Sequence, residues 1–169
     1  MVLSPSPVPL PTGLVVKNGS NALPRTEAAA ASVRIHPAVQ RAADSDAHIA
    51  GARILLVEDE AILRELAAEN LLDAGYRVVE AGDGTAGLEA LRSDIRIDVL
   101  LSDIKLPGMN GYELAEAATA LRPQLKVILM TGYAPTPLPP KLERVVYRVL
   151  QKPFEIEALP GMIADALET

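Results

Sequence analysis

Four aliphatic runs in this 169-residue chain each end on side chains suited to handling a phosphoryl group and a divalent cation. Ile54-Leu55-Leu56-Val57 leads into Glu58-Asp59, and Val99-Leu100-Leu101 leads into Ser102-Asp103. Val127-Ile128-Leu129-Met130 leads into Thr131, and Arg148-Val149-Leu150-Gln151 leads into Lys152-Pro153-Phe154. Carboxylates are the oxygen ligands that a hard cation such as Mg²⁺ takes. An aspartate can attack phosphorus to give an acyl phosphate. A lysine ammonium and a threonine hydroxyl suit phosphoryl oxygens.

These side chains meet only if the runs are neighbouring strands pointing the same way. Short apolar runs separated by helical stretches read as buried parallel strands. The carboxyl ends of such strands line one edge of the sheet, where ligands bind. The pattern alternates strand and helix five times from Arg53 onward. Leu63, Leu66, Ala67, Asn70, Leu71 and Ala74 share one face at 3.6-residue spacing, and Gly75 follows as a C-cap. Tyr76 to Glu80 reads as a second strand, and a second helix runs from Asp83 or Thr85 to about Ser93. Asn110 is placed to N-cap a helix ending at Leu121, and Ile156, Leu159, Ile163 and Leu167 mark a last helical stretch. Right-handed crossovers then place helices on both faces, which predicts a doubly wound α/β three-layer sandwich.

Between the fourth and fifth strands the regular pattern fails. Ala134 to Val146 contains Pro135, Pro137, Pro139 and Pro140, and an interior proline costs a helix about 3 kcal/mol. A loop, or one short turn around Lys141 to Arg144, is expected there. Pro160-Gly161 is expected to interrupt the last helix.

Charge and composition narrow the function classes. Residues 1 to 50 carry a net charge of +1 and residues 51 to 169 carry −7. So acidic a domain is a poor partner for nucleic acid, whose binding depends on Lys and Arg neutralising phosphates. With no cysteine, a disulfide framework and thiolate chemistry are excluded. No apolar run approaches the ~18 residues of a transmembrane helix, and prolines break up what would be a secretion signal, so a cytoplasmic location is the expectation. Residues 1–50 read as a disordered tail, with Pro5, Pro7, Pro9 and Pro11 favouring extended chain, in which Val33, Ile35 and Val39 could make a short docking segment but a plain linker is the preferred reading. Both histidines, His36 and His48, fall in it, leaving the folded part, residues 51–169, without one.

Several ordered motifs together resemble the receiver domain of two-component response regulators. They are Val57-Glu58-Asp59-Glu60, Ser102-Asp103-Ile104-Lys105-Leu106-Pro107-Gly108-Met109-Asn110-Gly111, Met130-Thr131-Gly132-Tyr133 and Lys152-Pro153-Phe154. The resemblance covers roughly residues 52 to 168. It implies a flavodoxin-like fold with five parallel strands in the order 2-1-3-4-5, here with a degenerate fourth helix. It implies Asp103 as the phosphoacceptor, at the end of the central strand, with Thr131 and Lys152 binding phosphoryl oxygens. Mg²⁺ would be held by Asp59 and Asp103 directly, by Glu58 through water, and by the backbone carbonyl of Lys105. The implied donor is a sensor histidine kinase or a histidine phosphotransfer protein. The chain ends at Thr169, soon after the last helix, so the expectation is a single-domain, non-enzymatic regulator acting through a further protein.

Plainer readings compete residue by residue. Glu58-Asp59 could cap the following helix, Asp103 could form a turn, and Thr131 and Lys152 could be ordinary strand-end residues. Asp83 reads as an N-cap. Two other functions carry forward as alternatives: a Mg²⁺-dependent aspartyl-phosphate phosphatase and a pseudo-receiver scaffold that takes no phosphate. The phosphatase reading wants a second aspartate where Lys105 stands. The scaffold reading draws on Val149, which occupies a position where many receivers carry an aromatic switch residue.

Overall fold

The computed structural model describes residues 33–36, 51–93, 95–133 and 137–169. Six strands form one sheet: β1 Val33–Ile35, β2 Arg53–Val57, β3 Arg77–Ala81, β4 Val99–Asp103, β5 Lys126–Thr131 and β6 Val146–Gln151. Four helices accompany them: α1 Ala61–Asp73, α2 Gly84–Arg92, α3 Gly111–Leu121 and α4 Leu159–Glu168. The strand order is β1-β3-β2-β4-β5-β6. Strands β2 to β6 pair in parallel. Counted from β2, they stand in the expected 2-1-3-4-5 order.

Alternation along the strands divides the core into two packed layers. Leu55, Val57, Val79, Leu100, Val127 and Leu129 face α2 and α3, packing with Leu88, Leu91, Leu114 and Ala118. Ile54, Leu56, Val78, Leu101 and Ile128 face α1 and α4, packing with Leu71, Leu159 and Ile163. The three central runs are buried along almost their whole length because helices cover both sides.

Helix ends follow local chemistry. Gly75, at φ 91°, takes the left-handed position just after α1. Its N–H donates to the Leu72 carbonyl and that of Tyr76 to the Leu71 carbonyl, closing a Schellman motif. Asp83 caps α2 by accepting from the Ala86 N–H at 2.8 Å. Asn110 caps α3 in a reciprocal capping box with Glu113. On α1, however, Leu66 is exposed rather than on the buried stripe, which Ala67, Ala68 and Leu71 supply.

Three expectations need correction. Residues 33–36 do not belong to a tail apart from the domain: β1 runs antiparallel to β3, pairing Val33 with Ala81 and Ile35 with Val79. An edge strand offers unpaired backbone groups, and this segment satisfies them. The folded part therefore does contain a histidine, since the His36 N–H donates to the Val78 carbonyl and its ring bonds Glu80. Pro160-Gly161 does not interrupt the last helix. Pro160 lies in the first turn of α4, where its missing N–H costs no intrahelical bond.

Between β5 and β6, residues 137–145 contain no helix. A turn closes there through the Leu142 N–H to the Pro139 carbonyl and the Val145 N–H to the Leu142 carbonyl. Leu142 is fully buried, and with Leu138 and Val145 it covers the β5–β6 end of the α2–α3 layer. The remainder of residues 1–50, and Pro135, lie outside the described residues.

Candidate functional site

The carboxyl ends of β2, β4, β5 and β6 bring the expected residues together. Asp103 ends β4 and is nearly buried, with 7% of its surface exposed. Its Oδ1 accepts the Lys105 backbone N–H at 2.8 Å, and its Oδ2 accepts from the Lys152 ammonium. The same ammonium donates to Glu58 Oε2 at 2.7 Å. Glu58, Asp59 and Asp103 each offer a carboxylate oxygen within 4.8 Å of the others, a spacing that could hold a metal ion. Glu58 and Asp103 are buried and Asp59 is open to solvent.

The plain capping reading of the acid pair fails here. The N-cap of α1 falls on Glu60, whose side chain makes no capping bond. The Glu58 backbone is instead fixed on both sides: its N–H donates to the Ala81 carbonyl at 3.1 Å, and its carbonyl accepts from Arg64 Nη1 at 2.6 Å.

Electrostatics favour a cation in this pocket. Burial raises the Glu58 carboxyl above the ordinary carboxylate range, with the Asp103 charge adding to the rise and Lys152 opposing it. Burial pulls Lys152 down, but its bonds to Asp103 and Glu58 outweigh that and leave it raised. Both groups therefore titrate above their ordinary values, the Glu58 carboxyl through burial and the Lys152 ammonium through its two carboxylate partners.

Thr131 ends β5, largely buried, and its Oγ1 accepts the Tyr133 N–H at 3.2 Å. The Lys152 N–H donates to the Thr131 carbonyl at 2.7 Å, which ties the β6 end to the β5 end. At the rim, Lys105 Nζ donates to the Tyr133 hydroxyl at 2.9 Å and lies 5.1 Å from the ring centroid. That bond raises Lys105 and lowers Tyr133. Val149 faces the α2–α3 layer as a half-buried aliphatic paired with Leu129.

Two contributors were not singled out from the sequence. At Gly111, a Cβ would lie 2.2 Å from the Asp103 carbonyl oxygen, so only glycine lets α3 begin this close to the strand end. Its signal was present in the Asn110-Gly111 pair, read only as a helix start. Arg64 is the other, and its partners are far apart in sequence.

Comparison with known proteins gives this fold and site a family. The model of the response regulator receiver domain matches residues 54–164. The chain is 37% identical over 116 residues to the response regulator receiver protein CpdR of Brucella abortus, covering 68% of this chain and 96% of that one. It is 33% identical over 118 residues to the transcriptional regulatory protein GlrR of Escherichia coli, covering 69% of this chain but 26% of that one. Among solved structures, a CheY-like receiver domain protein from Methanospirillum hungatei superposes with a TM-score of 0.63 at 32% identity, covering 70% of this chain and 94% of that one. The receiver domain of the hybrid histidine kinase CckA superposes at 0.60 with 34% identity, covering 69% of this chain and 99% of that one. The chain belongs to the response regulator receiver domain family of two-component signalling. No helix among the described residues is long and apolar enough to cross a membrane.

Proposed function

We propose that the protein accepts a phosphoryl group on Asp103 from the phosphohistidine of a sensor histidine kinase or histidine phosphotransfer protein, and signals by changed protein contacts. The observation that carries this reading is the convergence of Glu58, Asp59, Asp103 and Lys152 at one sheet edge, with Asp103 at the central strand's end. A carboxylate oxygen of Asp103 forms the new P–O bond as the donor's P–N bond breaks, and that bond's electron pair returns to the imidazole. The Lys105 N–H orients the carboxylate. Lys152 supplies a positive charge for a phosphoryl oxygen and the Thr131 hydroxyl a hydrogen bond.

Glu58, Asp59 and Asp103, with the Lys105 backbone carbonyl, are the groups that would hold Mg²⁺. The ion, when bound, would relieve repulsion between the anionic nucleophile and the anionic donor. Lys105 occupies the place where a phosphatase of the aspartyl-phosphate class needs a second aspartate, and its ammonium engages Tyr133. This favours a phosphoacceptor over a hydrolase.

Incubation with acetyl phosphate and Mg²⁺ tests the reading by intact-protein mass. One phosphoryl group should be added to the wild type and none to Asp103→Asn. Undiminished labelling of that variant would show the nucleophile to be another residue.

A further inference from the structure

Glu80 is a carboxylate with 3% of its surface exposed, on the α1 side of the sheet at the edge that β1 covers. A buried carboxylate needs partners, and this one has three. Arg64 Nε lies 3.4 Å from Oε2, Arg34 Nη1 lies 4.0 Å from Oε1, and His36 Nε2 bonds Oε1. Two of the three come from β1 and its following residue. Arg34 also reaches Glu65 of α1 at 3.9 Å.

Arg64 extends this cluster to the acid pocket. Its guanidinium spans from Glu80 to the Glu58 carbonyl, one residue before Asp59, while the Glu58 N–H is held by the Ala81 carbonyl of the same strand. The Glu58-Asp59 turn is therefore anchored on β3 twice, once through the backbone and once through Arg64. The planar fork of an arginine can serve two acceptors in a fixed geometry, whereas a lysine is a single point charge. Residues 33–36 lie outside the span matched by the receiver model.

We propose that β1 with His36 is a strap that tunes cation binding at the acid pocket, acting through Glu80 and Arg64, with Arg64 a positioning residue for the Glu58-Asp59 turn. Strand pairing brings Arg34 and His36 onto Glu80. Glu80, so held, fixes Arg64. Arg64 in turn aims the two carboxylates that precede α1. Groups that orient metal ligands typically change metal affinity by ~10–100-fold when removed.

The proposal rests on the Mg²⁺ reading of the pocket, and a calorimetric Mg²⁺ titration of the full chain separates the two. No binding by the wild type would overturn the Mg²⁺ reading itself, and the strap with it. Given wild-type binding, Arg64→Met and Arg64→Lys should each weaken it about tenfold. The lysine should fail to rescue because it cannot serve both acceptors. The double substitution Arg34→Gln with His36→Gln alters only partly exposed side chains and leaves the pocket residues intact, so it reads the strap even if the Arg64 variants fold poorly. It should weaken binding roughly threefold, a fraction of the loss expected from removing a ligand-orienting group. Wild-type affinity in the double variant would overturn the strap. Wild-type affinity in Arg64→Lys would show that charge alone, and not the bridge, matters.

Discussion

The two edges of the sheet solve the same covering problem in opposite ways. At the β3 edge the chain adds a strand, and polar groups do the fastening: Glu80 gathers Arg34, His36 and Arg64 around one buried carboxylate. At the β6 side residues 137–145 form no helix, and apolar groups do the fastening, with Leu142 buried within a turn of residues 139–145. The sheet is thus closed by backbone pairing on one side and by a buried side chain on the other. The β3 edge is held by strand pairing and by the ion pairs on Glu80, whereas the β6 side depends on burial and a few turn bonds.

Substitution at Leu142 should give the largest effect. Leu142→Ala should cost about 3 kcal/mol by denaturant unfolding, the range for a fully buried leucine. A cost under about 1 kcal/mol, within what partial collapse of the site could absorb, would show that the turn holds without its anchor. At the other edge, Glu80→Ala should cost about 2 kcal/mol, because it leaves Arg64 and its neighbours without their shared acceptor. An unchanged midpoint would break the comparison by showing the polar cluster to be dispensable.

The pocket between the edges gives a pH test. Burial raises Glu58 above its unfolded value of 4.5, so its ionised form is the less stable one in the fold. Stability from this group is then full below the unfolded pKa and falls as pH rises through the folded one. In metal-free protein, Glu58→Gln should raise Tm at pH 7 by about 3 °C, corresponding to roughly 1 kcal/mol, and change it little at pH 4. Added Mg²⁺ should reverse the ranking, because only the wild type keeps all three carboxylates. A variant less stable than the wild type at pH 7 without metal would refute the sign.

Amide exchange sharpens the contrast in mobility. Residues 137–145 should exchange faster than β1 and β3, since turns with few backbone bonds open at low free energy. Beryllium fluoride with Mg²⁺, as a phosphoryl mimic, should slow exchange in the non-proline residues of 137–146 through contacts at Thr131. Changes confined to α4 would instead place the output there. The smallest effect belongs to Tyr133→Phe, which removes the bond from Lys105 on an exposed rim. Stability should be unchanged, and any measurable loss would make that pair a structural element.

Much of the site was legible because its residues follow aliphatic runs whose length and order imply parallel strands. Asp103, Thr131 and Lys152 each stand at the end of such a run, so placing the strands side by side was enough to bring them together. The caps at Asp83 and Asn110 were legible for a similar reason, since their partners lie within three residues. Leu66 was misplaced because helical spacing gives a stripe without saying how wide the neighbouring surface is. Ala67, Ala68 and Leu71 suffice to cover it.

The five parallel strands, the acidic residues at their ends and the lack of a helix over residues 137–145 were legible in the amino-acid sequence, because local patterning and proline chemistry act within a few residues. That residues 33–36 belong to the fold emerged only once the strands were paired. Three residues surrounded by proline- and alanine-rich chain carry too little pattern to mark a strand, and the strand they pair with, Arg77–Ala81, lies far along the chain. The dependence on that pairing also hid the reason for the charges at Arg34, His36 and Arg64. Each reads as a surface residue in sequence, and only the paired edge shows that all three answer one buried carboxylate.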